Sequence, residues 1–394
     1  MKILIADKVS PDMISELEKL GGEVVYRPEL TAESLPGALG DAAILIVRST
    51  KVTAGAIAAA AHLRLIVRAG AGVNTIALDA ASDRSIYVTN CPGMNTDAVA
   101  ELAIGLLIAA DRRIPEATAA LREGKWLKTE FGKARGLRGR ALGIVGAGRI
   151  GLAVAKRAQA LGMTVVAWSR SLTAGRAEAL GVALAADPIE LAGKADAVSV
   201  HVAATAQTKH LLGKAFFDAM KPGSIFINTA RGDVVDTDAL LAAIDPKGLR
   251  VGLDVFENEP EGGKADFPLT ALARRVICTP HIGASTEQAE QAIASEAVRI
   301  VASFMRTGQA EHVVNLRPPL VDKVHIVVRH YNRVGVLART LTALRDQGVN
   351  IEEMQDSVFQ TGTAACCSLI LDRAPTAETL RRIRSDADVI AVSA

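Results

Sequence analysis

From Met1 to about residue 90, short apolar runs alternate with longer segments whose apolar residues recur at helical spacing. The runs are Ile3-Leu4-Ile5, Val24-Val25-Tyr26, Ile44-Leu45-Ile46-Val47 and Leu65-Ile66-Val67, and 11–20 is the clearest helical segment. This βαβ rhythm predicts a parallel sheet. A long helix at about 97–110 leads to a strand at Ala141-Leu142-Gly143-Ile144-Val145, and a second series runs through 165–167, 197–200, 225–227, 249–252 and 276–278. A second long helix at roughly 286–306 follows. Two doubly wound α/β lobes are predicted.

Leu316-Arg317-Pro318-Pro319 then reads as a linker, because paired prolines force extended backbone. Beyond it come a strand at 324–328, a helix at 335–347, strands near 349–358 and 364–371, a helix near 377–383 and a strand at 389–392. That βαββαβ order predicts a small ferredoxin-like sandwich.

Composition narrows the partners. The chain has 394 residues, 49% of them hydrophobic, and its 45 Lys and Arg against 43 Asp and Glu leave a formal charge of +2. Nothing here is basic enough for nucleic acid or an anionic membrane surface, so a bound phosphate must meet a local Arg cluster. Cys91, Cys278, Cys366 and Cys367 show neither Cys-x-x-Cys metal spacing nor a disulfide framework, so no metal is expected and a reducing cytoplasm fits. The most lipid-like stretch, 102–110, is about half a membrane span.

Gly146-Ala147-Gly148-Arg149-Ile150-Gly151 follows a predicted strand and opens an apolar-periodic helix, the context a dinucleotide fingerprint requires. Its glycines allow a tight turn, close approach to a pyrophosphate and helix packing on the strand, with the phosphate at the positive helix end. The next strand should end in an acid for the adenosine ribose, yet Val165-Val166-Ala167-Trp168 ends in Ser169-Arg170. A hydroxyl and a guanidinium suit a 2′-phosphate, which tilts the expected cofactor from NAD towards NADP.

Ligands of open α/β sheets sit outside the carboxyl ends of the strands. Three polar residues stand just past such ends: Arg231 after Ile227-Asn228-Thr229-Ala230, Glu259 after Leu253-Asp254-Val255-Phe256, and His281 after Ile277-Cys278-Thr279-Pro280. A nicotinamide enzyme acting on a hydroxyl needs a base near neutral pH, a group that orients it and a cation for the substrate's carboxylate. His281, Glu259 and Arg231 supply these roles in that order.

Asn228-Thr229-Ala230-Arg231-Gly232, Leu253-Asp254-Val255-Phe256-Glu257-Asn258-Glu259-Pro260 and Thr279-Pro280-His281-Ile282-Gly283-Ala284-Ser285-Thr286 resemble the motifs of the D-isomer-specific 2-hydroxyacid dehydrogenases, over nearly the whole chain. The resemblance implies that Arg231, Glu259 and His281 are catalytic, that Ala230 and Asp254 join the glycine turn at the cofactor, and that Arg48, Arg68, Ala71, Gly72 and Asn95 face the substrate. It implies a discontinuous substrate domain of residues 1–96 and 283–316, a nucleotide domain of 97–282 and a regulatory domain of 320–394. The narrower expectation is oxidation of 3-phospho-D-glycerate to 3-phosphohydroxypyruvate in L-serine biosynthesis, by a homodimer or homotetramer. A phosphorylated acid needs several guanidiniums, which gives Arg48 its weight. Reduction of glyoxylate or hydroxypyruvate is the alternative, and a nucleotide-sensing corepressor is a reading from another class.

His330-Tyr331-Asn332-Arg333-Val334-Gly335 is similar to the ligand turn of ACT domains, with Val334 where Pro is usual. His330, Asn332 and Asn350 match positions that hold L-serine in regulated members of the family. Ser169-Arg170 departs from the usual acidic strand end, and 128–140 does not align with the residues that reach a neighbouring subunit.

Overall fold

Ile44-Leu45-Ile46-Val47 is buried at all four positions, because its strand lies mid-sheet with cover on both faces. The computed structural model describes residues 1–260, 265–317 and 323–393. In it β1 (Lys2–Ile5), β2 (Glu23–Tyr26), β3 (Ile44–Val47), β4 (Leu65–Arg68) and β5 (Tyr87–Asn90) form a parallel sheet of order β2-β1-β3-β4-β5. The helix Glu287–Thr307 covers one face, where Ile293, Ala297 and Ile300 pack on Ile3, Ile44 and Val67. Thr286 caps that helix through the amide of Ala289, a bond of a kind that contributes about 1 kcal/mol.

The second sheet has seven parallel strands: β6 (Ala141–Val145), β7 (Thr164–Trp168), β8 (Ala183–Leu184), β9 (Ala197–Val200), β10 (Ile225–Asn228), β11 (Arg250–Leu253) and β12 (Ile277–Cys278). Its order is β12-β11-β10-β9-β6-β7-β8. The helices Thr96–Arg112 and Arg149–Ala160 cover one face through Leu106, Leu107, Val154 and Ala158; Phe216 and Phe217 meet Phe226 edge to face on the other.

Strand order reverses between β1 and β3 in the first sheet and between β6 and β9 in the second, and each reversal opens a crevice at the carboxyl ends. Asp7 and Arg48 stand at the first crevice. Gly146 and His201 stand at the second.

These elements make up one unit, Met1–Asn315; a second unit is Leu316–Ala394. In the second, β13 (Val324–Tyr331), β14 (Ile351–Val358), β15 (Ala364–Leu371) and β16 (Val389–Ser393) form an antiparallel sheet of order β14-β15-β13-β16. Side chains alternate between buried and half-buried along β15, and Ile326, Val328 and Leu369 pack with Leu344 and Ile383 of the helices Val336–Asp346 and Ala377–Arg384. Pro318, Pro319 and position 320 lie outside the described residues. Among the described residues no helix is long and apolar enough to cross a membrane.

Candidate active site

Glu259 and His281 meet at 2.6 Å, Oε2 to Nδ1. The ionised carboxylate only accepts, so Nδ1 carries the ring proton and Nε2 presents its lone pair. Both side chains are fixed from the backbone. Glu259 Oε1 accepts the amide of Phe256 at 2.9 Å. His281 has a left-handed φ of 52°, a strained conformation for a residue with a side chain, and its amide donates to Asp254 O at 2.8 Å. Beneath it the buried Asp254 carboxylate accepts from Thr279 Oγ1 at 2.6 Å and from the amides of Ile282 and Gly283 at 2.8 Å each. What the structure shows of Asp254 is therefore a clamp on the His281 loop.

Burial pushes the Glu259 pKa up, but the hydrogen bonds from His281 and Phe256 and the nearby charge of Arg231 outweigh it, leaving the carboxyl below its ordinary value. The neighbouring Glu257 is occupied elsewhere, on His210 at 2.6 Å and the Thr237 amide.

Arg231 leaves the end of β10 on a loop stapled by Asn228, whose side chain accepts from the Ala230 amide and donates to Arg231 O. Its guanidinium crosses to the first sheet: a Cβ at position 72 would stand 2.5 Å from Arg231 Nη2. Arg68, at the end of β4, folds over Gly70, and its Nε is buried with no hydrogen-bond partner among the described residues. Burial, and then the like charge of Arg231, push the Arg68 pKa down to about 10. Two guanidiniums thus converge on the loop 69–72, and their like charges make it a place for an anion. Arg48 is more exposed and pairs with Glu290 at 2.8 Å. Asn95 precedes the helix Thr96–Arg112 as its N-cap residue, half-buried and without a side-chain cap bond.

The glycine turn fits a dinucleotide. Gly146 has a φ of 104°, and a Cβ there would lie 2.5 Å from His201 O; a Cβ at Gly151 would lie 2.0 Å from Gly146 O. Strand and helix therefore close on each other as only glycine permits. At Gly148 a Cβ would meet nothing, so the helix N-terminus at Arg149 and Ile150 stays open to a pyrophosphate. Arg149 reaches back over Gly93. Ser169 and the exposed Arg170 follow β7, with no side-chain hydrogen bond or ion pair among the described residues. His201, absent from the sequence-based candidates, hydrogen-bonds Ser199 at 2.8 Å, and burial lowers its pKa to about 3, so it stays neutral.

In the second unit the three effector candidates lie apart within one chain. His330 is a buried core residue with its ring nitrogens on Tyr331 O (2.8 Å) and Asp356 (3.4 Å). Asn332, past the end of β13, bonds Gly362 O, whereas Asn350 precedes β14 beside Glu352. Both strands pair antiparallel with β15 and so run parallel to each other, which puts the two asparagines at opposite ends of the sheet, roughly 25 Å apart at about 3.3 Å per residue.

Residues 104–283 match the family described as D-isomer specific 2-hydroxyacid dehydrogenase, NAD binding domain. A D-3-phosphoglycerate dehydrogenase of Methanocaldococcus jannaschii is 42% identical over 90% of this chain and 67% of its own length. A hydroxypyruvate reductase of Thermotoga maritima is 38% identical over 74% of this chain and 93% of its own. The chain belongs to the D-isomer specific 2-hydroxyacid dehydrogenases. Among solved structures, the TT0316 protein from Thermus thermophilus superposes with a TM-score of 0.71 at 34% identity, covering 80% of this chain and all of that one. The dehydrogenase spans about two thirds or less of the length of the phosphoglycerate dehydrogenases it matches. Its cofactor is a nicotinamide dinucleotide, and a small 2-hydroxy acid substrate fits its dehydrogenase relatives.

Proposed function

We propose that the dehydrogenase oxidises 3-phospho-D-glycerate to 3-phosphohydroxypyruvate, with Arg231, Glu259 and His281 as its catalytic residues. The observation that carries this reading is a cluster of three guanidiniums: Arg68 and Arg231 converge on the loop 69–72, and Arg48 is close enough to act on the charge of Arg68. A bound nicotinamide supplies the hydride acceptor. Neutral His281 takes the C2 hydroxyl proton on Nε2, and Glu259, hydrogen-bonded to Nδ1, orients the ring and stabilises it once protonated. Arg231 grips the carboxylate and polarises the forming carbonyl, beside the amides of Ala71 and Gly72. Arg68 adds charge to the anion cradle, Asn95 borders it, and Arg48 is the candidate for the phosphate. Gly146, Gly148, Arg149, Ile150, Gly151 and Ala230 line the dinucleotide side. Ser169 and Arg170 favour NADP.

The ion pair of Arg48 with Glu290 supports a second reading, reduction of an unphosphorylated keto acid such as hydroxypyruvate or glyoxylate, for which Arg231 and the loop 69–72 suffice. For assembly, we take the helix Ile114–Arg122, which has no buried residue, and the exposed Leu121 and Trp126 as the contact of a homodimer or homotetramer. The C-terminal sandwich is read as an ACT domain that takes L-serine between two copies, Asn332 of one facing Asn350 of the other. The domain organisation follows the boundaries inferred from the resemblance. Nicotinamide absorbance with the purified chain and a panel of phosphorylated and unphosphorylated 2-hydroxy and 2-keto acids tests the assignment. Highest efficiency on the phosphorylated pair supports it; highest efficiency on glyoxylate or hydroxypyruvate selects the second reading.

A further inference from the structure

Asp7 and Arg48 leave the carboxyl ends of β1 and β3, the neighbouring strands at which the order of the first sheet reverses. The buried Asp7 carboxylate accepts three successive amides, from Arg48 at 2.7 Å, Ser49 at 3.1 Å and Thr50 at 3.0 Å, together with Ser49 Oγ at 2.8 Å. The backbone at Arg48 is thus pinned, and only the side chain can answer a ligand.

That side chain is engaged. Arg48 Nη2 lies 2.8 Å from Glu290 Oε1, on the first turn of the helix Glu287–Thr307, which begins just past the His281 loop. Arg48 and Glu290 are 37% and 49% exposed, so the pair is solvent-screened and easily exchanged. The difference from Arg68 and Arg231 is chemical: among the described residues neither of those two forms a salt bridge, whereas Arg48 already carries an anion.

We propose that Glu290 is a specificity-determining residue: its carboxylate is the resident anion on Arg48, which a substrate's phosphate must displace and which repels that phosphate afterwards. The inference rests on the reading of Arg48 as the phosphate residue. A phosphate dianion offers Arg48 a forked, doubly charged partner in place of one carboxylate oxygen, so exchange is feasible. Glu290 nevertheless stays beside it, and the like charge lowers the selectivity for phosphorylated acids. An unphosphorylated acid leaves the ion pair intact. One side chain, remote from the reacting carbon, therefore sets how strongly the site prefers the phosphorylated member of a substrate pair.

The test uses the full chain with its dinucleotide and reads the ratio of kcat/KM for 3-phosphohydroxypyruvate to that for hydroxypyruvate, with inorganic phosphate as inhibitor against hydroxypyruvate. Glu290→Gln should raise the ratio roughly tenfold and strengthen phosphate inhibition by a similar factor, through removal of one nearby like charge. Arg48→Ala should lower the ratio, and adding Glu290→Gln to it should recover only part of that loss, through the removed repulsion alone. If Arg48→Ala lowers the ratio but Glu290→Gln leaves it and the phosphate inhibition where they were, the role of Glu290 is refuted and the phosphorylated-substrate reading stands. If Arg48→Ala leaves the ratio unchanged, Arg48 does not read phosphate and the role of Glu290 falls with it, while the parent's own preference between the two substrates still decides the phosphorylated-substrate reading.

Discussion

Arg231, carried by the second sheet, rests its guanidinium so close to Gly72 of the first that a single added methyl group would stand 2.5 Å from Nη2. The two sheets of the dehydrogenase meet at this point, and the carboxylate of a 2-hydroxy acid is expected beside it. Gly72→Ala should push Arg231 off the loop and reduce kcat/KM by roughly tenfold or more, since an ångström of misplacement is costly in a preorganised site. Position 72 is half-buried in a loop, so the melting temperature should move little. Unimpaired kinetics in this variant would mean that Arg231 binds substrate from another position.

Glu259 gives the site a defined acid limit. Its pKa is lowered in the folded chain, so its ionised form adds stability that is complete above the ordinary value of 4.5 and is lost as the pH falls through the lower folded value. Glu259→Gln removes that contribution. The stability gap between parent and variant, from denaturant unfolding at successive pH values, should be constant near neutrality and close below about 4.5. A gap that widens in acid would contradict the assigned direction.

Asp7 should matter for folding as well as for Arg48. Replacing it by Asn exchanges an acceptor of three amides and a hydroxyl for a group with one acceptor oxygen, and leaving buried donors unsatisfied costs about 1–3 kcal/mol. Urea titration of Asp7→Asn should show a loss in that range.

Cofactor choice is tested at the end of β7. Ser169→Asp with Arg170→Ile supplies a ribose acceptor and removes a phosphate partner, so the ratio of NAD to NADP efficiency should rise by about 1–3 kcal/mol in free-energy terms, the scale of a charge-assisted hydrogen bond. A parent that already strongly prefers NAD, with a ratio the double variant does not move, would rule out the NADP tilt.

Much of this site was legible because one topological rule carries it. Arg231, Glu259 and His281 follow successive strands of one parallel sheet, so strand-end position alone selected them, and the structure brings Glu259 and His281 into contact. The same rule selects Asp7, but its carboxylate sits among ordinary charged residues and only the hydrogen bonds from 48–50 single it out. Glu290 carried no signal at all, since it meets Arg48 across 242 residues. Strand β5, where the apolar run Ile86-Tyr87-Val88 gives way to Thr89 and Asn90, and the two-residue β8, in an Ala-rich run with no β-branched residue of its own, went unnamed because each apolar signal is short. In the second unit βαββαβ order was readable, yet His330, Asn332 and Asn350 were grouped by motif where sheet register separates them; motif spacing says nothing about which end of a strand a residue occupies.

The central claim, that His281 moves the hydroxyl proton under the control of Glu259, is tested most directly by turnover of His281→Asn at saturating dinucleotide and substrate, with dinucleotide affinity followed separately by fluorescence titration. Turnover should fall by about 10²–10⁴-fold, the usual loss for a positioned acid–base group, while dinucleotide affinity stays within about twofold of the parent. Near-parental turnover, with dinucleotide binding intact, would contradict the account.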